Sequence, residues 1–371
     1  IHPPAFGMKY KSMDAEAAKS MPGIKDVFPV DVYPEGVEKQ WSDGGGIPQL
    51  VAVVGKSTWQ CMQAKKALKV EWEEASKLES SADHDSELAK LINTSAKEPA
   101  RKDGDVNKAF KKADQVIERT YSAPFLAHNT MEPMNFFANV TAEKAELNGP
   151  IQTPEFLEKT LASRLDMPVE KIDIKMTRMG GGFGRRLYGH FGVEAAVISK
   201  KMQAPVKLVY TREDDMTQGT YRPAYKVKYK AGLDENGKLI AWHVRGAGTN
   251  DDLVFENRFP AGTVDNYLAE KHSLQSNVTT GAWRAPRSNF IAGAEQAFMD
   301  EVAEAAGKNP IEFRLELFDR AINDPVGDPE KNDYDPERYA GVLKLIKVKA
   351  GLGDGIKVDG VARGVAAYYC H

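Results

Sequence analysis

Four glycines within five positions constrain this chain more than any other stretch. They are Gly180, Gly181, Gly182 and Gly184, with Phe183 among them, and two arginines follow at once. Glycine loses more conformational freedom on folding than any other residue, so the cluster indicates an unusual backbone or the close approach of something large. Residues 172–176 alternate as a strand does, and residues 191–198 have a helical pattern. A glycine loop between a strand and a helix aims backbone N–H groups at an anion.

The glycines alone leave the identity of the anion open. Residues 180–186 lack the Gly-x-Gly-x-x-Gly spacing of a dinucleotide site and the Lys-Ser/Thr pair of a phosphate-binding P-loop. The alternative is a flexible turn followed by a solvated arginine pair, Arg185 and Arg186. Both interpretations stay open on the glycines alone.

Composition argues against several functional classes. The chain has 371 residues and a formal net charge of −3, and it has no basic stripe interleaved with aromatics, so nucleic-acid binding is not expected. No run of about eighteen apolar residues occurs, so no membrane span is predicted. Two cysteines, Cys61 and Cys370, are too few for a cysteine-held iron–sulfur cluster or structural zinc site. No metal ligands are predicted within this chain.

Hydrophobic periodicity predicts an α+β fold with a small domain at the beginning of the chain. Residues 1–76 combine strand patterns with a helix that Ser57 would cap. Its large apolar side chains Trp59, Met62 and Trp72 are the expected core. Residues 77–115 are rich in charge, and they are predicted to be a connecting segment over the surface with one short helix.

The rest of the chain is predicted to form a larger mixed α/β domain. It extends over residues 116–371 and includes an antiparallel hairpin at residues 225–247, where Asp-Glu-Asn-Gly marks the turn. The last residues, 364–371, have the apolar pattern of a strand that is cut short. We therefore expect the chain to be a piece of a longer protein.

Three further stretches accompany the glycine loop. They are Ala-His-Asn-Thr-Met-Glu-Pro-Met at 127–134, Thr-Arg-Glu-Asp-Asp-Met at 211–216 and Gly-Ala-Trp-Arg-Ala-Pro-Arg-Ser-Asn at 281–289. Together and in this order, the four motifs closely resemble the molybdenum-cofactor subunit of the xanthine dehydrogenase and aldehyde oxidase family, over essentially the whole chain. The Gly-Gly-Gly-Phe-Gly-Arg-Arg, Met-Glu-Pro-Met and Gly-Ala-Trp-Arg segments look most like its isoquinoline 1-oxidoreductase beta-subunit branch.

The resemblance implies a fold and a cofactor. Residues 1–76 would be the family's small hammerhead α/β domain, and residues 116–371 its molybdopterin-binding domain, incomplete at the C-terminus. The cofactor would be molybdopterin, with the cytosine dinucleotide form as one option. The cofactor-binding residues would come from two loops: Gly180, Gly181, Gly182, Phe183, Gly184 and Arg185 from the first, and Trp283, Arg284 and Ala285 from the second.

The resemblance also implies a substrate pocket, formed by Leu126, His128, Glu132 and Leu187. Purine-oxidising members carry a glutamine where Leu126 stands and a glutamate where Leu187 stands, so a more apolar pocket is expected here. His128 and Glu132 either shape this pocket or hold the fold together. Residues 212–215 are expected to order the domain rather than to act as a catalytic pair.

The whole protein would then oxidise an aldehyde or an N-heteroaromatic carbon with oxygen derived from water. Electrons would pass to a separate small subunit that carries 2Fe-2S clusters. The family's Gly-x-Gly-Glu segment is missing from this sequence, so no catalytic residue is expected here, the base would lie beyond His371, and this chain alone would be inactive. The alternative is a non-catalytic binding module that keeps the fold without the cofactor. The sequence leaves the location, bacterial periplasm or cytoplasm, open.

Overall fold

A computed structural model describes residues 1–33, 36–352, 360 and 364–369. Contacts within the chain divide it into two compact units. The first unit comprises residues 1–80, 125–223 and 276–284, and the second comprises residues 81–124, 224–275 and 285–371. Each unit therefore combines segments that are distant in sequence. The domain boundaries that the sequence predicts, near residues 76 and 115, stay a prediction.

The structure has a mixed α/β composition, which confirms the predicted class. The strands are β1 (Met8–Asp14), β2 (Ile24–Asp31), β3 (Gln49–Gly55), β4 (Lys69–Glu74), β5 (Arg101–Asp103), β6 (Gln115–Ala123), β7 (Asn135–Val140), β8 (Ala145–Gly149), β9 (Ile172–Met176), β10 (Val206–Val209), β11 (Tyr225–Leu233), β12 (Leu239–Thr249) and β13 (Tyr267–Leu274). The helices are α1 (Glu16–Lys19), α2 (Thr58–Ala67), α3 (Ser81–Leu91), α4 (Val106–Lys112), α5 (Pro154–Leu165), α6 (His190–Met202), α7 (Arg212–Thr217), α8 (Ser288–Ala305), α9 (Pro310–Asn323) and α10 (Pro336–Lys349). No helix in the described part of the chain is long and apolar enough to cross a membrane.

The first unit contains a four-stranded sheet and two antiparallel strand pairs. The sheet has the order β10–β7–β8–β9, with β8 and β9 parallel, and the pairs are β1 with β4 and β2 with β3. Helix α6 packs against this sheet, where its Phe191 and Val193 are buried with Phe136 of β7 and Leu147 of β8. Burying each such side chain contributes roughly 1.5–3 kcal/mol. Because β9 and α6 are fixed in one core, both ends of the glycine loop between them are fixed too.

The second unit is built on a five-stranded sheet. Its order is β5–β13–β12–β11–β6, with β12 and β13 parallel and the other neighbours antiparallel. The predicted hairpin is confirmed as β11 and β12, and its turn uses Gly237 with a φ of +70°. Helix α8 lies on the sheet, and Phe298 packs its ring against Tyr229 and Trp242 with centroid distances of 5.2 Å.

Residues 77–115 differ from the expected connecting segment. The predicted helix is present as α3, but the segment also holds strand β5 and helix α4. Strand β5 pairs with β13, and Leu88 and Val106 are buried. The segment therefore contributes to the second unit's structure. Its high charge belongs to the outer face of its helices, which the composition alone did not distinguish from a loop.

Two smaller expectations were wrong. Ser57 does cap α2, since its side chain accepts the Gln60 N–H at 3.3 Å, but this helix turns Ala64 toward the core and leaves Trp59 70% exposed. Met62 and Trp72 are half-buried. At the other end, residues 364–369 form no strand. Residues 370 and 371, which complete the predicted strand, lie outside the described residues.

Candidate functional site

The glycine loop, residues 180–184, connects β9 to a short 3₁₀ turn ahead of α6, as the sequence predicted. Its backbone is unusual: Gly181 and Gly184 have φ values of +103° and +99°, and Phe183 has a φ of +53°. A phenylalanine whose backbone lies in the left-handed region costs free energy, and residues in such strained conformations cluster at ligand-binding sites.

Every carbonyl of the glycine loop accepts a hydrogen bond from surrounding protein. The donors are the Glu132 N–H to Gly180 (3.2 Å), Arg186 Nε to Gly181 (2.8 Å), the Arg185 N–H to Gly182 (2.8 Å), the Arg284 N–H to Phe183 (2.7 Å) and the Leu187 N–H to Gly184 (3.2 Å). The loop is therefore anchored through its acceptors.

The donors of the same loop are mostly unused. Glu132 Oε2 accepts the Gly180 N–H at 2.8 Å. Within the described residues, the N–H groups of Gly181, Gly182, Phe183 and Gly184 have no hydrogen-bond partner. Gly182 and Gly184 are buried, and a buried N–H without a partner is costly. The loop therefore presents four N–H groups that a ligand with acceptor atoms would satisfy.

The two arginines after the loop are buried. The alternative of a flexible turn followed by a solvated arginine pair is therefore wrong. Arg186 is fully buried, and its guanidinium donates to the Gly181 carbonyl and to the Glu132 carbonyl and carboxylate, the latter two at 2.9 and 3.0 Å. Arg185 is 2% exposed and donates to the Gln218 carbonyl at 3.1 Å, with Asp215 at 3.6 Å. Because the Arg185 guanidinium is enclosed by these partners, we do not expect it to contact a cofactor.

Glu132 holds the glycine loop. Besides the Gly180 N–H and Arg186, its carboxylate accepts the Asn135 side-chain amide at 2.9 Å. Burial alone would raise the pKa of this carboxyl, but these three donors outweigh burial and keep the pKa below its ordinary value. The geometry therefore favours the structural alternative for Glu132 over a role in shaping the pocket.

The first part of the second predicted stretch, residues 281–284, belongs to the first unit and lies against the glycine loop. The Ala282 carbonyl oxygen is so close to Gly184 that a Cβ built there would lie 2.1 Å from it. The Arg284 guanidinium is exposed, 5.7 Å from the Phe183 ring centre and 5.4 Å from that of Trp283, and it has no ion-pair partner among the described residues. Ala285 falls in the second unit, where its carbonyl accepts the Asn289 N–H at 2.8 Å.

His128 also reaches the second loop. Its buried ring places Nε2 2.8 Å from the Ala282 carbonyl oxygen. Burial lowers the pKa of the imidazole to about 4, and the charge of Arg185 acts in the same direction, against the hydrogen bond to Ala282. At neutral pH the ring is therefore uncharged and donates through Nε2–H.

Replacing His128 with glutamine should flatten the acid dependence of stability. The folded imidazole takes up a proton near pH 4 and the unfolded one near 6.5, so between these values the unfolded state binds more protons. The free energy of unfolding should fall as pH decreases through this window, by up to roughly 1.4 kcal/mol per pH unit. Urea unfolding of wild type and His128→Gln across the window measures the difference. Parallel curves would contradict the assignment.

The two leucines of the predicted pocket also lie in the first unit. Leu126 is 38% exposed and exchanges backbone hydrogen bonds with Arg222. Leu187 is half-buried, and its carbonyl accepts Trp41 Nε1 at 3.0 Å and the Thr153 hydroxyl at 2.8 Å. Neither side chain offers a polar atom to a ligand.

Residues 212–215 form the start of helix α7 rather than a loop. Thr211 caps it, since its hydroxyl accepts the Asp214 N–H, while the Asp214 carboxylate accepts the Thr211 N–H at 3.1 Å. Arg212 pairs with Asp215 at 3.1 Å. These contacts favour the expected ordering role. Across residues 1–33, 36–352, 360 and 364–369, no group of three or more His, Cys, Asp or Glu side chains could hold a metal ion.

Sequence reasoning missed Tyr188. Its hydroxyl oxygen accepts the Ala282 N–H at 3.1 Å, and its ring stacks on Trp41 with a centroid distance of 5.6 Å. A Cβ on Gly44 or Gly281 would lie 2.6 or 2.7 Å from this ring. The available signal was only that glycines stand at these two distant positions, which a sequence cannot connect to one tyrosine.

Residues 89–253, which include the glycine loop, match the family model described as the molybdopterin cofactor-binding domain. This part of the chain is therefore similar to a molybdopterin cofactor-binding domain. Its relatives include a membrane-bound aldehyde dehydrogenase [pyrroloquinoline-quinone] of Gluconacetobacter polyoxogenes, which is 26% identical over 93% of this chain and 46% of that protein. The aldehyde oxidoreductase molybdenum-binding subunit PaoC of Escherichia coli is 29% identical over 67% of this chain and 34% of that protein. Aldehyde oxidase 2 of Rattus norvegicus is 27% identical over 88% of this chain and 25% of that protein.

The chain thus spans about a quarter to a half of the length of these relatives. Their descriptions agree with the resemblance to aldehyde oxidases, and they do not indicate the isoquinoline branch. Among solved structures, the aldehyde oxidoreductase of Desulfovibrio gigas matches this chain with a TM-score of 0.69 at 17% identity, over 94% of this chain and 42% of that one. Quinoline 2-oxidoreductase of Pseudomonas putida 86 matches with a TM-score of 0.69 at 16% identity, over 95% of this chain and 50% of that one. At these identities, the likeness concerns the fold.

Proposed function

We propose that this chain is part of a molybdenum hydroxylase that oxidises an aldehyde. The observation that carries the proposal is the glycine loop of the molybdopterin cofactor-binding domain, whose carbonyls are all held by protein while four N–H groups are left without a partner. A binding module that had lost its ligand would have no need of this arrangement.

The residues present fit molybdopterin, an anionic cofactor with many acceptor atoms. Gly181, Gly182, Phe183 and Gly184 offer N–H groups, and the Arg284 guanidinium next to Phe183 offers a positive charge. The Gly180 N–H is taken by Glu132, so Gly180 would contribute shape rather than a hydrogen bond. A contact from Trp283 and the cytosine dinucleotide form are further parts of the proposal, while the contact expected from Ala285, a residue of the second unit, stays a prediction from the sequence.

When bound, this cofactor supplies the oxidation of a substrate carbon with oxygen derived from water. The chain's own contribution is to bind and orient. N–H groups fixed in advance stabilise negative charge without the cost of reorganisation, and they act more strongly where water is excluded. Arg186 and Glu132 keep the glycine loop in place, so these donors do not need to be ordered when the ligand arrives.

An aldehyde is favoured as substrate because the relatives named above are aldehyde oxidoreductases, an aldehyde dehydrogenase and an aldehyde oxidase. Leu126 and Leu187 would suit the apolar body of such a molecule. The second candidate is an N-heteroaromatic carbon, which the isoquinoline-type motifs support. The catalytic base and a 2Fe-2S small subunit that accepts the electrons would lie outside this chain.

The assembled enzyme is expected to prefer an aromatic aldehyde to xanthine. Xanthine would bury polar edges against Leu126 and Leu187 without hydrogen-bond partners, and each such loss costs on the order of 1–3 kcal/mol. The measurement is kcat/KM for xanthine, benzaldehyde and isoquinoline with the full-length protein and its partner subunit. A preference for isoquinoline would favour the second candidate, and a preference for xanthine would contradict the pocket assignment.

Metal, pterin and quinone analysis of the full-length protein, purified with its partner, tests the function itself. The expected result is molybdenum and molybdopterin in equal amounts. Pyrroloquinoline quinone in place of molybdenum would overturn the cofactor assignment. A folded protein without any of these groups would support the binding-module alternative.

A further inference from the structure

The Ala282 backbone in the second loop is held at two points by side chains. Its N–H donates to the Tyr188 hydroxyl oxygen at 3.1 Å, and its carbonyl accepts from His128 Nε2 at 2.8 Å. A residue whose N–H and carbonyl are both engaged by side chains cannot shift in either direction without losing a hydrogen bond.

Neither holding side chain is free to follow such a shift. The Tyr188 ring lies in a slot between Gly44 and Gly281, where a Cβ on either glycine would come within 2.6 and 2.7 Å of the ring. Trp41, which is 49% exposed, stacks on the ring at 5.6 Å and donates through Nε1 to the Leu187 carbonyl at 3.0 Å. His128 is 6% exposed.

The position of Ala282 matters to the glycine loop. Gly184 approaches the Ala282 carbonyl so closely that no Cβ would fit, and two residues later the Arg284 N–H donates to the Phe183 carbonyl at 2.7 Å. A displacement of Ala282 would therefore change the backbone that carries the four unpaired N–H groups, as well as the base of the Arg284 side chain.

We propose that Tyr188 and His128 are positioning residues that hold Ala282 and thereby set Arg284 against the glycine loop for cofactor retention. The proposal rests on the proposed function. Neither residue touches the reacting atoms: they act through the backbone of residues 281–284. Loss of one hydrogen bond should leave the unit folded and let the second loop move.

The test uses Tyr188→Phe, which removes only the hydroxyl, in the full-length protein with its partner subunit. Tyr334→Phe is the matched control, since that buried hydroxyl donates to the Ala261 carbonyl, away from the second loop in sequence. Hydrogen exchange measured by mass spectrometry should accelerate roughly fivefold in a peptide covering residues 279–284. The half-life of bound molybdopterin, measured as pterin fluorescence released with time, should shorten by a similar factor. Tyr334→Phe should change neither.

Variants of His128 test the other hydrogen bond that holds Ala282. Glutamine can still donate to the Ala282 carbonyl, so His128→Gln should retain the cofactor longer than His128→Leu, which has a similar size and no donor. Faster exchange without faster cofactor release would overturn the proposal, and so would unchanged exchange in Tyr188→Phe. If the wild type contains no molybdopterin, the proposed function fails, while the exchange measurement still reports whether the two side chains hold this loop.

Discussion

Replacing Gly184 with alanine is expected to lower the molybdenum content of the full-length protein by at least about tenfold. The φ of +99° at this position costs an alanine roughly 1–2 kcal/mol. The added Cβ would also lie 2.1 Å from the Ala282 carbonyl oxygen, a backbone atom that cannot rotate away. The two loops would have to separate, which moves the Phe183 and Gly184 N–H groups and the Arg284 side chain apart.

Gly307 provides the control for this substitution. It also has a positive φ, +68°, but among the residues that the structure describes no atom outside its immediate neighbours lies within 4 Å of a Cβ built there. Gly307→Ala should therefore lower the melting temperature through backbone strain alone and leave the molybdenum content per folded protein unchanged. Metal analysis of the soluble fraction, normalised to folded protein, separates the two effects. Equal metal content in wild type and Gly184→Ala would show that the junction between the loops does not serve the cofactor.

The local part of the site could be predicted from sequence. Strand β9, the glycine loop and helix α6 follow one another within about thirty residues, and their periodicities of two and 3.6 are properties of neighbouring side chains. The hairpin of β11 and β12 was predictable for the same reason, because Asp234 and Gly237 form its turn locally. The second loop was predicted from the resemblance, since nothing in residues 281–284 by themselves indicates what they lie against.

The chemistry of the loop could not be predicted in this way. Which backbone groups of the loop are paired depends on contacts with distant residues. Two of the five carbonyls are held by the N–H groups of Glu132 and Arg284, on opposite sides of the glycines in sequence. The same holds for Arg186: a charged side chain is normally exposed, and only its partners Glu132 and Gly181 explain why this one is buried. His128 and Tyr188 both form hydrogen bonds with Ala282, which is distant from each of them in sequence.

The burial of individual side chains was also hard to predict from the sequence. Trp59 was assigned to the core for its size, but α2 covers its strands with Ala64, which is five positions away and so on another face of the helix. Strand β5 has three residues, too few for a periodic pattern, and it is ordered by pairing with β13 in a part of the chain more than 150 residues distant. Such pairing depends on the tertiary fold.

Arg186→Met is expected to destabilise the protein by about 3 kcal/mol and to release the glycine loop. The Arg186 side chain joins the Gly181 carbonyl to the carbonyl and carboxylate of Glu132. Methionine fills a similar volume without a donor, so it leaves the Glu132 carboxylate without its charged partner. Breaking a buried ion pair costs roughly 3–5 kcal/mol, and the lower end applies because the Glu132 side chain is 34% exposed.

Two further variants separate charge from geometry and from general effects of the substitution. Arg186→Lys keeps the positive charge, but an ammonium group cannot reproduce the planar fork that serves Gly181 and Glu132 together, so its stability and cofactor content should be intermediate. Arg178→Met makes the same change at an exposed arginine ahead of the loop and should have little effect. Urea unfolding and hydrogen exchange in residues 179–185 are the measurements. If Arg186→Met unfolded at the wild-type urea concentration and its loop exchanged no faster, the loop would be held by its backbone hydrogen bonds alone, and the four N–H groups would not depend on this arginine.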